Sequence, residues 1–114
     1  KYDKRKDTVI TIASISESLG NAFVSNVLQF CPKLLDDAIL MVDDQDCQVA
    51  CLTLITFALS LASNNSLQAD LLSSILNCGL EESLLESRVS CSDQVGSMID
   101  KLVDGLENLR MSST

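Results

Sequence analysis

The longest stretch without a charge is the feature that most constrains this chain. Residues 47–69 carry no charged side chain, and residues 49–62 have the sequence VACLTLITFALSLA. A helix that crosses a membrane needs about 20 predominantly apolar residues, so this stretch is too short for that role. A surface helix alternates apolar and charged faces, whereas this one is apolar nearly all round. We therefore predict a helix over 46–63 that is buried at the centre of an all-helical domain.

Apolar residues elsewhere recur every three or four positions, which is the spacing of amphipathic helices. Such stripes cover 12–30, 34–42, 67–76, 80–89 and 95–109. Gly20 lies inside the first stripe and is expected to bend or split it, while Gly79 is expected to end the fourth helix. The predicted fold class is all-α, a single-domain bundle of five or six helices.

The length of 114 residues corresponds to one domain. A chain of this size buries about two-thirds of the surface that its unfolded form exposes, so it needs neither a metal nor disulfides to fold. Half of the eight basic residues lie among the first six positions. We expect a basic N-terminal tail over 1–7, a helical domain over 8–110 and a C-terminal tail over 111–114.

The charge of the chain limits its partners. Its formal net charge is −8, and from residue 8 onward there are 14 acidic residues against 4 basic ones. A body this acidic repels phosphate backbones, so we expect no binding to nucleic acid. The shortness of the apolar stretch likewise predicts that no helix spans a membrane.

Groups needed for common catalytic mechanisms are missing from the sequence. The chain contains no His, which removes the usual general base and excludes Ser-His-Asp and Cys-His machinery. The four Gly are scattered and form no phosphate-binding loop. The acidic cluster over 36–46 lacks the ligand spacing, central Gly and closing Glu of an EF-hand loop. We expect a protein that is not an enzyme, with no catalytic residue, no metal site and no cofactor.

The five cysteines leave the compartment open. We interpret Cys47, Cys51 and Cys78 as small buried apolar residues, which fits a reducing compartment such as the cytoplasm. The alternative is a secreted protein with one or two disulfides. Cys31 and Cys91 are the candidates for a disulfide or a reactive thiol, since Cys91 lies among polar residues near a helix start.

The stretch 43–85 combines an acidic turn (DDQD), the apolar helix, an Asn-containing turn (SNN) and a second helix (LQADLLSSILN). It resembles one helical repeat of the armadillo or HEAT type. In that family, stacked hairpins bind extended peptides or other proteins, so the resemblance implies protein binding. The stretch is also similar to the N-terminal helical domain of the COMM-domain family, in which the turn written here GLEE recurs. Both resemblances cover less than half of the chain.

The leading functional hypothesis is a non-enzymatic interaction or self-association module. The helices over 49–62 and 95–109 are more apolar than their expected neighbours require, and such excess marks interaction surfaces. The partner is expected to be another protein or a second copy in a homodimer. The residues predicted to contact the partner or ligand are Leu52, Ile55, Leu59, Met98, Leu102 and Leu106.

Two alternatives belong to other classes. The first is a small secreted helical carrier of a lipid or other apolar molecule, with Thr53, Thr56 and Ser60 at the mouth of its cavity. These three residues share one helix face, where hydroxyls bond back to carbonyls one turn earlier. The second is an acidic assembly domain of a secreted structural protein such as a silk. Its dimerisation would depend on pH, because protonating carboxylates relieves repulsion between acidic faces.

Overall fold

A computed structural model describes residues 2–64, 69–77 and 79–113. Within these ranges the chain forms seven helices and no strand, which confirms the predicted all-α class. The helices are α1 (Tyr2–Leu19), α2 (Asn21–Phe30), α3 (Lys33–Leu40), α4 (Gln48–Ser63), α5 (Ala69–Asn77), α6 (Leu80–Arg88) and α7 (Asp93–Ser113). They pack into one globule with extents of 34 × 30 × 25 Å.

Gly20 accounts for the difference between the predicted and observed number of helices. Its backbone has φ 82° and ψ −163°, a conformation that is essentially restricted to glycine. The stripe over 12–30 is therefore divided into α1 and α2 instead of forming one bent helix. The expectation of five or six helices is wrong for the described residues, because this glycine ends one helix and begins another.

The apolar helix α4 begins at Gln48, two residues after the predicted start, and ends at Ser63. It packs against α1, α2, α3 and α7. Its buried residues are Cys51, Leu52, Leu54, Ile55, Ala58, Leu59, Leu61 and Ala62. Among the described helices, none combines the length and the hydropathy needed to cross a membrane.

The final helix α7 lies against α4 along its apolar stripe. Its buried apolar side chains are Val95, Ile99, Leu102, Leu106 and Leu109. Gly105 lies on the side of α7 that meets α4, where an added Cβ would collide with Leu59 Cδ2. The two helices therefore approach at this point more closely than a larger residue allows.

The basic N-terminal segment belongs to a helix. Residues 2–7, which we expected to form a solvated tail, are the first part of α1. Lys6 Nζ lies 3.0 Å from Asp44 Oδ2 and 3.2 Å from Asp46 Oδ2, both in the junction between α3 and α4. Arg5 also approaches Asp37 of α3, at 3.8 Å. The acidic cluster supplies partners that order this segment.

The C-terminal segment is also largely helical. α7 runs to Ser113 and so includes most of the segment 111–114 that was expected to be a tail. Lys1, Thr114, Cys78 and residues 65–68 lie outside the described residues.

Candidate functional site

Most of the residues predicted to contact a partner lie in the core of this chain. Met98 is half-buried, and the other five are at most 7% exposed. These five are Leu52, Ile55, Leu59, Leu102 and Leu106. The apolar excess of α4 and α7 is used where these two helices pack on each other and on their neighbours. In this conformation the five side chains stabilise the fold and do not face a partner.

One face of α4 remains uncovered and forms the floor of a groove. The groove has a volume of about 480 Å³ and opens to solvent. Its walls come from the end of α1, the start of α2 and the first third of α7. The residues that line it are Glu17, Asn21, Thr53, Thr56, Phe57, Ser60 and Met98. The structure thus brings Met98 together with the three hydroxyl residues that the sequence places on one helix face.

The threonines of the groove satisfy their own hydrogen-bond donors. Thr53 Oγ1 donates to the carbonyl oxygen of Val49 at 2.8 Å, and Thr56 Oγ1 donates to that of Leu52 at 2.7 Å. These bonds confirm the predicted back-bonding of the two residues. A molecule bound in the groove therefore leaves neither threonine hydroxyl without an acceptor. This lowers the free-energy cost of removing water from the groove.

The groove is acidic at its rim. Glu17 is exposed there, and none of the described lining residues is basic. The chain as a whole is also acidic, with a net charge of −8. The electrostatic potential of this face therefore favours a neutral or basic occupant over an acidic one.

The described cysteines are all free thiols, and they fall into two classes. Cys47 and Cys51 are buried, as predicted, and the Cys51 thiol donates to the Cys47 sulfur at 3.9 Å. Burial raises the pKa of the Cys51 thiol, and the neighbouring Cys47 raises it further. Cys31 is exposed after α2, whereas Cys91 is half-buried with its thiol donating to the Arg88 carbonyl oxygen at 3.3 Å. The chemistry open to Cys47 and Cys51 is therefore that of inert protonated thiols.

The acidic cluster is engaged with basic side chains of α1. Asp44 and Asp46 pair with Lys6, and Asp37 pairs with Arg5. In the part of the chain that the structure describes, no three His, Cys, Asp or Glu side chains are grouped so that they could hold a metal ion. These three aspartates therefore connect the N-terminal helix α1 to α3 and to the α3–α4 junction through ion pairs.

Comparison with known proteins finds no matching protein family, no matching curated protein and no matching solved structure. The groove is thus the principal guide to function. Sequence reasoning did not assign Phe57, Glu17 or Asn21 to it. The available signal was the spacing of Thr53, Thr56 and Ser60, because polar residues within an apolar helix mark the face that the core does not cover.

Proposed function

We propose that this chain is a non-enzymatic interaction module that binds an amphipathic helix of a partner protein in the groove along α4. In this proposal α4 is the central helix of the bundle, buried on the sides that meet its neighbours and open on one. The observation that carries the proposal is the uncovered face itself, about 480 Å³ of groove between α1, α2 and α7.

The chemistry of the groove suits a helix. A docked amphipathic helix inserts anchors at i, i+3 or i+4 and i+7 along a groove of this kind. Phe57 and Met98 supply apolar contact, and the thioether of Met98 adapts to the shape of an anchor. Small residues at Thr53 and Ser60 let the partner backbone approach closely. The exposed Glu17 favours a partner with Lys or Arg flanking its apolar face.

A labelled helical peptide of leucine and lysine tests the proposal by fluorescence anisotropy. Thr56→Arg places a bulky cation in the groove, and Ser14→Arg places the same charge on the exposed surface of α1. We expect Thr56→Arg to weaken binding about tenfold or more, since the larger side chain fills part of the groove and its charge repels the lysines of the peptide. Ser14→Arg should bind like the wild type. Equal losses in both variants would show that the peptide responds only to net charge.

The apolar wall formed by Phe57 and Met98 also supports a second candidate, a carrier of an apolar small molecule. A carrier usually encloses its ligand, whereas this groove is open to solvent, so the helix-binding proposal ranks first. Native mass spectrometry separates the two. A lipid-sized adduct that is lost in Thr56→Trp favours the carrier, and a bare chain that gains the peptide mass favours the module.

A further inference from the structure

The outer face of α2 carries no charge, although it is exposed to solvent. Like the buried α4, α2 has no charged residue in its sequence. Half of its residues are nevertheless exposed, namely Asn21, Ala22, Asn26, Gln29 and Phe30. Because the chain has a net charge of −8, two copies repel each other. The outer face of α2 is therefore a surface where two copies meet with less of that repulsion.

The uncharged stretch extends beyond α2 and is bounded by opposite charges. Residues 18–32 contain no Asp, Glu, Lys or Arg, and they lie between Glu17 and Lys33. Both bounding side chains are exposed, and neither takes part in the ion pairs of the described residues. Ser25 lies midway between them along the chain. The stretch is thus self-complementary, because a second copy that runs in the opposite direction places its basic end at the acidic end of the first.

The same reversal brings exposed apolar side chains together. Leu19 is 61% exposed near the acidic end, and Phe30 is 87% exposed near the basic end. The space beside Gly20 is open, since apart from its chain neighbours no heavy atom lies within 4 Å of the position that a Cβ would take. A phenyl ring of another molecule therefore has room to pack against Leu19 and the backbone of Gly20, and its burial there is favourable.

We propose that two copies of this chain associate through their α2 helices, which lie antiparallel across a two-fold axis. Phe30 of each copy packs against Leu19 of the other, and Lys33 of each copy pairs with Glu17 of the other. An interface of this symmetry uses every contact twice. A helix of this length spans about 15 Å, so the paired contacts lie at the two ends of α2 and its short uncharged side chains lie between them. The dimer does not require the groove along α4, although Glu17 lies at the rim of that groove.

Sedimentation velocity at pH 7 tests the dimer in about 0.15 M NaCl, where charges more than about 8 Å apart are largely screened. We expect the wild type to pass from monomer to dimer as its concentration rises to about 1 mM, a range that detects weak association. Phe30→Ser should weaken the dimer about tenfold or more, since it removes an aromatic anchor. The matched control Val89→Ser, at a residue that is 88% exposed after α6, should change nothing. A wild type that stays monomeric, or an equal loss in both variants, would overturn the proposal.

Charge reversal tests the pairing of the two ends. Glu17→Lys and Lys33→Glu should each weaken the dimer about fivefold, because each places like charges opposite each other twice. The double variant exchanges the two charges and should recover the association of the wild type. Net charge alone predicts a tighter dimer for Glu17→Lys, because this variant is less acidic than the wild type. A tighter dimer for Glu17→Lys, or a double variant no stronger than the single variants, would contradict the antiparallel pairing.

Crosslinking through Cys31 tests the direction of the helices. Cys31 is an exposed free thiol directly after α2. In the antiparallel dimer it lies close to Leu19 of the second copy and at the opposite end of the interface from Cys31 of the second copy. Oxidation of Leu19→Cys with diamide should therefore link the introduced thiol to Cys31 of the second copy, because a disulfide forms only between closely placed residues. Peptide mass spectrometry identifies the link.

The control for this experiment is Ser14→Cys, which places a thiol on the exposed surface of α1 outside the uncharged stretch. It should give no linked dimer under the same conditions. A wild-type dimer linked from Cys31 to Cys31 would show that the helices lie parallel and would refute the proposal. Equal crosslinking of Leu19→Cys and Ser14→Cys would show random collision and would refute it as well.

Discussion

Single atoms decide how closely two helices of this chain approach. Gly105→Ala adds a methyl group that meets Leu59 Cδ2 in the interface between α7 and α4. Overpacking costs about 1–3 kcal/mol, and the better helix propensity of Ala returns about 1 kcal/mol. We expect a net loss of about 1 kcal/mol in the free energy of unfolding, measured by urea denaturation.

Gly96→Ala is the matched control for this prediction. Its added methyl group meets the guanidinium of Arg88, the exposed end of a long side chain that pairs with Asp100 at 3.1 Å, and such an exposed ion pair contributes little to stability. This end can move aside, so the gain in helix propensity should leave the protein as stable as the wild type or more stable. Equal destabilisation by both substitutions would show that the approach of α7 to Leu59 is not limiting.

The ion pairs of Lys6 with Asp44 and Asp46, which join α1 to the α3–α4 junction, should make the stability of the fold depend on pH. The carboxylates of Asp44 and Asp46 raise the pKa of the Lys6 ammonium above its ordinary value of 10.5. A raised pKa in the folded state stabilises the fold below that ordinary value, and the contribution is lost as the pH rises further. Lys6→Met should therefore lower the melting temperature at pH 7.

The difference between Lys6→Met and the wild type should be constant from pH 6 to pH 9 and should shrink above pH 10.5. High salt should reduce it as well, because these groups are partly exposed. Lys101→Met, on the exposed surface of α7, controls for the loss of a charge. If the Lys6→Met and Lys101→Met proteins have the same melting temperature at every pH, the ion pairs of Lys6 do not stabilise the packing of α1.

The apolar periodicity of the sequence predicted where the helices lie better than it predicted which helices contact one another. The stripes over 34–42, 80–89 and 95–109 each correspond to a helix, because apolar spacing reflects local geometry. The ordering of Lys6 could not be predicted in this way, since its partner Asp46 lies 40 residues along the chain. Gly20 signalled a break, but its backbone angles depend on how α1 and α2 both pack.

The site was predicted only in part for a related reason. Residues 49–62 are so uniformly apolar that their periodicity gives little contrast between a face for the core and a face for a partner. Leu52 and Ile55 were assigned to a partner, yet the structure uses them inside the bundle. Ser60 and its neighbouring threonines carried the information that was present.

The core role of these residues is testable on the whole molecule. Ile55 is fully buried, so Ile55→Ala should lower the free energy of unfolding by about 2–5 kcal/mol through a cavity and lost transfer energy. Val49→Ala, on the exposed side of the same helix, should cost less than about 1 kcal/mol. Denaturation curves for the two variants should diverge. If Ile55→Ala is as stable as Val49→Ala, this side chain is not part of a close-packed core.

Net charge controls how copies of the whole molecule meet. With a net charge of −8, the chain should be monomeric at pH 7 and low salt, because acidic surfaces repel each other. Acid reduces this net negative charge mainly below pH 5, because carboxylic acids in model peptides have pKa values of about 4, so association should increase between pH 7 and pH 4. Sedimentation velocity measures this shift. A dimer of unchanged stability across that range would exclude charge as the control and would favour an assembly that is held by apolar contacts alone.

The position of α4 also has a consequence for biosynthesis. Three helices precede it along the chain, and each of them packs on it in the finished fold. A ribosome adds about 5–20 residues per second, so α1, α2 and α3 spend seconds at the exit tunnel before the helix that covers them has been made. During that interval the nascent chain presents their apolar faces to chaperones. The emergence of residues 48–63 from the ribosome therefore marks the point at which α4 can first cover the apolar faces of α1, α2 and α3.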